Sequence, residues 1–584
     1  MKSTMEESTI KNLFGHRNRV FEIPTYQRSY SWEEGQIEQF IDDMNDCKDT
    51  FYLGHFLFES ENPDEEKLYV IDGQQRLTTC IILLSVIKHI LSARKDSGEE
   101  IKLELDDIEH YYLKDTRKHT QKFCTVKDDN NFFLSEIIEY NENHKQEENT
   151  LSRKNIRKAK KKFVDEINKK TTDEIEQWVK FLQNASITVH IIVDDKIKAA
   201  QIFAFQNDRG KKLTNLEIVK SYLMLNILIS DQDIDKRNQD IAFLENDFSN
   251  IYHEIVRINL REDEVLNYYW RTVSGKGFYS EEVIEGLKKL IQETVKKNKI
   301  NISDWIKNFV SGLSQAFQTV EKLEKSIDSN IINLNYLKNY AISYPFLIKA
   351  YAINADIEEI NRLAKLLENL TFRHLLRGGR AEIESKLNKY LINMENHNIQ
   401  EYINSIKEGI LYVWEYWSDD VIEECLNSGQ FYGNRVDNYL LWRYELFISS
   451  DNYPLSPKVT YKDFIENESI EHIAPQKQPN DKVETGYGDY DGKETPQNGI
   501  VSGDWMNSVG NLLLISRKHN SAIGNKPFNI KLKSYGEDNL LNQQKEIINF
   551  IKDKDNPIWD VTAIEKRHDK IREAAMDIWD INKI

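Results

Sequence analysis

The run Asp72-Gly73-Gln74-Gln75-Arg76 stands between two apolar stretches, LYVI (68–71) and LTTCIILLSVIKHIL (77–91). That pattern fits a strand running into a helix, and a plain turn would need only the Asp-Gly pair. The added residues have the chemistry of a phosphate site. Gly73 permits a sharp turn and a close approach of backbone to a ligand. A helix opening at 74–78 would present free N–H groups and its positive dipole end to an anion. Arg76 can fork onto phosphate oxygens. Asp72 can hold Mg²⁺ through an oxygen, and Gln74 and Gln75 can orient a water or a base. On these residues alone, an Asp-Gly turn with a solvated arginine is the alternative. No GxxxxGK[ST] occurs, so this is not a P-loop.

A second group lies near the C-terminus. In SIEHIAPQ (469–476), Glu471 and His472 end a short strand, and Pro475 stiffens the turn after it. SVGNLLLIS (508–516) reads as a second strand with Gly510-Asn511 at its start, and RKHNSAIGNKPFNIKLK (517–533) follows with Asn520 near the start of a helix. A carboxylate, a histidine, an asparagine on the paired strand and a further N or O ligand on a helix make a ββα-metal arrangement. They suit phosphodiester hydrolysis. His472 would take a proton from water near neutral pH. Glu471 and Asn520 would give oxygens to one Mg²⁺ or Mn²⁺ at the leaving oxygen. Asn511 would orient the imidazole or the scissile phosphate, while Lys518, Lys526, Lys531 and Lys533 grip the backbone. Taken bare, a histidine beside a glutamate is more often structural.

The elements that must position these groups alternate at first. VFEIP (20–24), FYLGHFLFE (51–59) and LYVI read as strands, and SWEEGQIEQFIDDM (31–44) as a helix. Residues 100–180 are charged helical sequence, after which ASITVHIIVDD (185–195) returns to strand character. The helical part therefore reads as an insertion in one α/β domain. A polar NDRGKK turn precedes a helix capped by Thr214 or Asn215. From about 230 to 445 the apolar spacing is helical, and the Pro- and Ser-rich stretch near 450 marks a boundary. Three segments result: 1–228, 229–448 and 449–584.

Composition bounds the answer. The 584 residues exceed one core, so two to four domains are expected. Four cysteines without a CxxC pair argue for a reducing cytoplasm and against a thiolate zinc site. No signal peptide is read, and the run CIILLSVI (80–87) is too short to span a bilayer, so no membrane partner is expected. A net charge of −18 counts against indiscriminate nucleic-acid binding. Charge is nonetheless local: residues 151–170 hold nine Lys/Arg against two acids. That run reads as a solvated face before a DNA contact. Arg373, His374, Arg377 and Arg380 around Gly378-Gly379 read as an exposed helix end before a phosphate contact.

Three ordered motifs carry a resemblance: IPTYQRSYSW (23–32), VIDGQQRLTT (70–79) and IFAFQNDRGKKLT (202–214). Together they resemble the GmrS-type domain, related to the ParB/sulfiredoxin fold and implying nucleoside triphosphate hydrolysis (GTP, ATP or another). The likeness covers roughly 10–225. It implies a nucleotide or DNA-sensing pocket lined by Tyr26, Gln27, Arg28, Asp72, Gly73, Gln74, Gln75 and Arg76. EHIAPQ, VGNLLLIS and RKHNSAIGNKPF resemble the GmrD-type HNH endonuclease domain over about 455–580. That likeness implies His472 as general base, Asn511 as positioning residue and Asn520 as metal ligand. Many HNH enzymes have histidine at the last position, so His519 next door is the alternative ligand. The whole resembles a single-chain GmrSD-like type IV restriction enzyme, predominantly α. It implies a regulated HNH site that acts on modified phage double-stranded DNA, in a monomer or a homodimer. The rivals are a phosphorothioate-sensing nickase and a nucleotide-regulated abortive-infection switch with an inactive nuclease fold.

Overall fold

The computed structural model describes residues 3–15, 19–46, 51–60, 66–115, 120–141, 147–193, 214–230, 233–276, 283–298, 301–380, 382–394, 399–413, 415–427, 430–449, 468–476, 486–488, 505–537 and 541–584. The chain is mostly helical, with a small mixed sheet near its N-terminus. It forms two compact units, one from residues 1–270 with 277–322 and one from 271–276 with 323–584.

The first unit is built on a six-stranded sheet of β1 (Ser3–Thr9), β2 (Val20–Glu22), β3 (Tyr52–Ser60), β4 (Lys67–Asp72), β7 (Phe123–Cys124) and β8 (Ser186–Val193). The order is β1-β8-β3-β4-β2-β7, with a separate pair β5 (Lys114–Asp115) and β6 (Thr120–Gln121). β4 pairs antiparallel with β3 and parallel with β2, so the ends of β2 and β4 that lead into the two N-terminal motifs lie side by side. Residues 100–180 contribute β7 to the sheet edge, and Ile156, Ala159 and Phe163 to the same core as the sheet.

Out of β4 comes the helix Gln74–Asp96, buried on most sides over its first fourteen residues. It is apolar all round because it is a core helix. By length and composition it could cross a membrane, with a mean hydropathy of 1.5, but 67% of that window is buried inside the protein.

Gly73 holds the junction. Its φ is +89°, and a Cβ there would sit 2.3 Å from the Phe56 ring. Left-handed backbone costs a non-glycine residue about 1–2 kcal/mol and overpacking about 1–3 more. Gly73→Ala is therefore expected to destabilise the first unit by about 2–5 kcal/mol, read as a lowered melting midpoint. An unshifted midpoint would show that the turn is not under this constraint.

The second unit packs helices around a two-stranded antiparallel sheet of β9 (Glu468–His472) and β10 (Leu512–Ser516). Side chains alternate across these strands. Leu512 and Leu514 enter one core with Phe372, Leu440 and Trp579. Leu513 and Ile515 enter another with Phe528, Tyr535 and Trp559. The helix Arg517–Ile523 follows β10 directly, its N-cap Ser516 accepting from the His519 amide.

Candidate functional site

At the first junction the two N-terminal motifs are tied together. Gln27 Nε2 donates to the Ile71 carbonyl at 2.8 Å, beside Asp72. Gln75 Nε2 donates to the Ser29 carbonyl at 3.1 Å, and its Oε1 accepts from the Ser31 amide at 2.8 Å. The helix Asn215–Ser230, which follows the third motif in the chain, joins them. Lys220 Nζ donates to the Gln27 carbonyl at 3.3 Å and Ser221 Oγ to the Tyr26 carbonyl at 3.0 Å. Thr214 caps that helix in exchange with Glu217, settling the choice between Thr214 and Asn215. Asn207, Arg209 and Gly210 lie outside the described residues.

The expected phosphate ligands take different positions. Arg76 donates to the carbonyls of Leu53 and His55, each at 2.8 Å, and stacks on Phe56. Gly54, at φ +113°, has no Cβ where the Arg76 guanidinium passes. Asp72 is half-exposed and 4.0 Å from Arg76. Arg28 is nearly buried, and burial lowers its pKa against the opposing pull of Glu217 and Asp72. Burial likewise holds the Tyr26 phenol well above its ordinary value.

Two buried acceptors remain open. Gln27 Oε1 and Gln74 Oε1 make no hydrogen bond with any described residue. The Gln27 amide orientation is fixed by its bond to Ile71, so a group meeting Oε1 must donate. A water or a ligand O–H or N–H satisfies that need; a bare phosphate oxygen does not. Lys220, which the sequence reading passed over, is fully enclosed, and burial brings its ammonium down to about 8 against the pull of Asp128 and Glu217. The spacing Glu217…Lys220-Ser221, one helical turn, was the signal for it.

At the second centre, His472 ends β9. Its Nε2 lies 3.2 Å from Asn507 Oδ1 and 3.3 Å from Gln476 Nε2, with the Tyr432 ring edge-on at 4.6 Å. Asn511 is fully buried. Its carboxamide donates to the carbonyls of Ala474 (3.0 Å) and Met506 (2.9 Å), and accepts from the Ala474 amide and Trp559 Nε1, both at 2.9 Å. Asn511 therefore fixes the turn that follows His472. Arg567, also fully buried, donates to the carbonyls of Val509, Gly510 and Leu512 around it.

Glu471 points the other way. Successive residues on a strand face opposite sides, and Glu471 turns to the helix Phe528–Glu537. There its carboxylate pairs with Lys531 and accepts from Tyr535 at 3.2 Å. Lys531 also donates to the carbonyls of His472 (3.1 Å) and Ile473 (3.2 Å). It is fully buried, so it holds the strand end where a DNA-facing lysine was expected. Lys518, Lys526 and Lys533 are exposed. His519 is buried between Ser534 and Gln544. Asn520 donates to Ser469 Oγ (2.7 Å) and the Ile470 carbonyl (3.1 Å), which leaves its oxygen as the atom able to meet a metal.

The residues do not, as arranged, fit the expected ion. Glu471 is neutralised by an internal cation, and among the described residues no three His, Cys, Asp or Glu side chains gather into a metal site.

Comparison with known families bears on both centres. A family model described as "GmrSD restriction endonuclease, N-terminal domain" matches residues 10–224, and one described as "GmrSD restriction endonucleases, C-terminal domain" matches residues 416–574. The chain belongs to the GmrSD restriction endonuclease family. DNA is accordingly its substrate class. No curated protein matches the chain. The GmrSD N-terminal match takes in all three junction motifs together with Glu217 and Lys220. The GmrSD C-terminal match takes in His472 and its neighbours Tyr432, Gln476 and Asn507, which sequence reasoning missed because they lie up to 40 positions away. Arg373 falls between the two GmrSD matches. It is buried and bonded to Asn369, the Trp417 carbonyl, Asp419 and the Trp579 carbonyl, so it is no phosphate contact, whereas Arg377 and Arg380 are exposed at the end of that helix as expected.

Proposed function

We propose that this chain cleaves or nicks modified foreign DNA with an HNH-type centre at β9–β10, under control of nucleoside triphosphate hydrolysis at the DGQQR junction. The observation that carries the nuclease reading is His472 at a strand end, its Nε2 between two carboxamides and its turn clamped by Asn511. An imidazole so held is a general base for water. Asn511 acts through that turn, and the exposed Lys518 and Lys526 supply charge for the DNA backbone. The type IV assignment rests on the family, and no step is routed through a metal. At the junction, Gln27 Oε1 and Gln74 Oε1 support a nucleotide reading in which they orient water or a sugar hydroxyl, while Lys220 holds Gln27 in place.

The test is cleavage of modified and unmodified phage DNA, with Mg²⁺, Mn²⁺ or EDTA, and with GTP, ATP, a non-hydrolysable analogue or no nucleotide. Cleavage confined to modified DNA and altered by nucleotide supports the proposal. Equal cleavage of both DNAs removes modification dependence, and equal rates in all nucleotide arms remove the control. For the junction itself, Gln27→Ala is expected to lower triphosphate turnover roughly 10-fold or more, with a loss of about 1–3 kcal/mol in the stability of the first unit because the buried Ile71 carbonyl loses its donor. Unchanged turnover would place the nucleotide elsewhere.

A further inference from the structure

At the end of β9 opposite His472, Glu468 meets the start of the helix Asp437–Ser449. Asn438 Nδ2 donates to Glu468 Oε1 at 2.9 Å. That bond fixes which way the carboxamide is turned, since its oxygen in that place would face another oxygen. The second atom of each planar group is left over. Glu468 Oε2 and Asn438 Oδ1 are both buried, and neither has a hydrogen-bond partner among the described residues. Two acceptors left open in one side-chain pair lack a donor between them. A proton on Oε2 supplies it. Acid and amide then close a ring of two bonds, Nδ2–H to Oε1 and Oε2–H to Oδ1.

The surroundings favour that proton. Asp437 is held beside the pair, its carboxylate accepting from the amides of Gly433 at 3.0 Å and Asn438 at 2.6 Å. Burial, and then the Asp437 charge, raise the Glu468 carboxyl to about 7 against the pull of Lys338, which is exposed. Opposite Glu468 on β10 stands the uncharged Ser516. A divalent ion fits less well. Both Asp437 oxygens are taken by amides, and two remaining oxygens are fewer than Mg²⁺ or Ca²⁺ gathers.

We propose that Glu468 and Asn438 form a proton-operated latch: one proton shared between them ties the start of β9 to the helix Asp437–Ser449, and its loss leaves a single bond there. The latched strand is the one that carries Glu471 and His472 at its other end. Its partner β10 shares a core with Leu440 and Leu441 of the same helix, so the latch bears on how the candidate nuclease strands are seated. The folded carboxyl holds its proton more tightly than an unfolded one, whose ordinary value is about 4.3. The stabilisation is therefore complete below that ordinary value and is lost as pH rises through neutrality.

The experiment follows melting of the second unit in the full chain at about pH 6 and about pH 8, with amide exchange of β9 and β10 measured beside it. Glu468→Gln is the decisive variant. Its Nε2–H donates to Asn438 Oδ1 at every pH, so it makes the ring permanent. Between the two pH values the parent is expected to lose about 3–5 °C more than Glu468→Gln, the effect of one group titrating near neutrality in a unit of this size. At the higher pH, Glu468→Gln should also melt above the parent and exchange its β9 amides more slowly. With Asn438→Ala already in place, Glu468→Gln should bring no such gain, because the ring has lost its second half. Equal pH dependence in the parent and Glu468→Gln overturns the latch, and so does an undiminished gain beside Asn438→Ala. A parent midpoint raised by Mg²⁺ or Ca²⁺ at the higher pH, with no such rise in Glu468→Gln, puts a cation in place of the proton and overturns it as well.

Discussion

Replacing His472 with alanine is expected to lower DNA cleavage by roughly 10²–10⁴-fold, the range for loss of a positioned general base. The imidazole ends β9 with Nε2 facing Asn507 and Gln476. The Tyr432 ring packs edge-on against it, and the turn that follows is held by Asn511 and Arg567 without use of the imidazole. Folding should therefore survive, with stability within about 1 kcal/mol of the parent. Triphosphate hydrolysis should stay near the parent rate, because the junction groups are in the other unit. Plasmid nicking by the purified variant, beside its nucleotide turnover, makes the comparison. Strong residual nicking would remove the HNH assignment.

The second large effect concerns Lys531→Met. Burial raises the Glu471 carboxyl and lowers the Lys531 ammonium, and each is countered by the other. Removing one partner of a buried pair costs about 3–5 kcal/mol, because the remaining charge has no counter-ion. The variant should thus lose about 10 °C or more in the melting of the second unit. Glu471→Gln/Lys531→Met should recover most of that loss, the signature of a coupled pair. Parental stability in Lys531→Met would show that Glu471 has another counter-charge, and would return it to the candidates for a divalent ion.

The local pattern was enough to place much of the frame. FYLGHFLFE, LYVI and ASITVHIIVDD became β3, β4 and β8 within one or two residues, because runs rich in branched and aromatic side chains suit a pleated surface. β7 escaped notice: two residues, Phe123–Cys124, carry no period, and only pairing with β2 makes them a strand. The segment EHIAPQ through NKPF announced two strands and a helix in order, and the structure has them.

Side-chain commitments were not legible in the same way. The sequence by itself determined which residue types meet: a strand-helix junction with Asp72 and two glutamines, and a histidine at a strand end. It also determined that Glu471 and His472 face opposite sides, since alternation is a local property of a strand. Tertiary structure alone decided what those groups bond. Arg76 is turned to the carbonyls of Leu53 and His55 by a glycine 22 positions upstream, and Lys531 is drawn to Glu471 from 60 positions downstream. A charged side chain goes where its desolvation is best offset, and the oxygens that offset it come from strands and helices far apart in the chain.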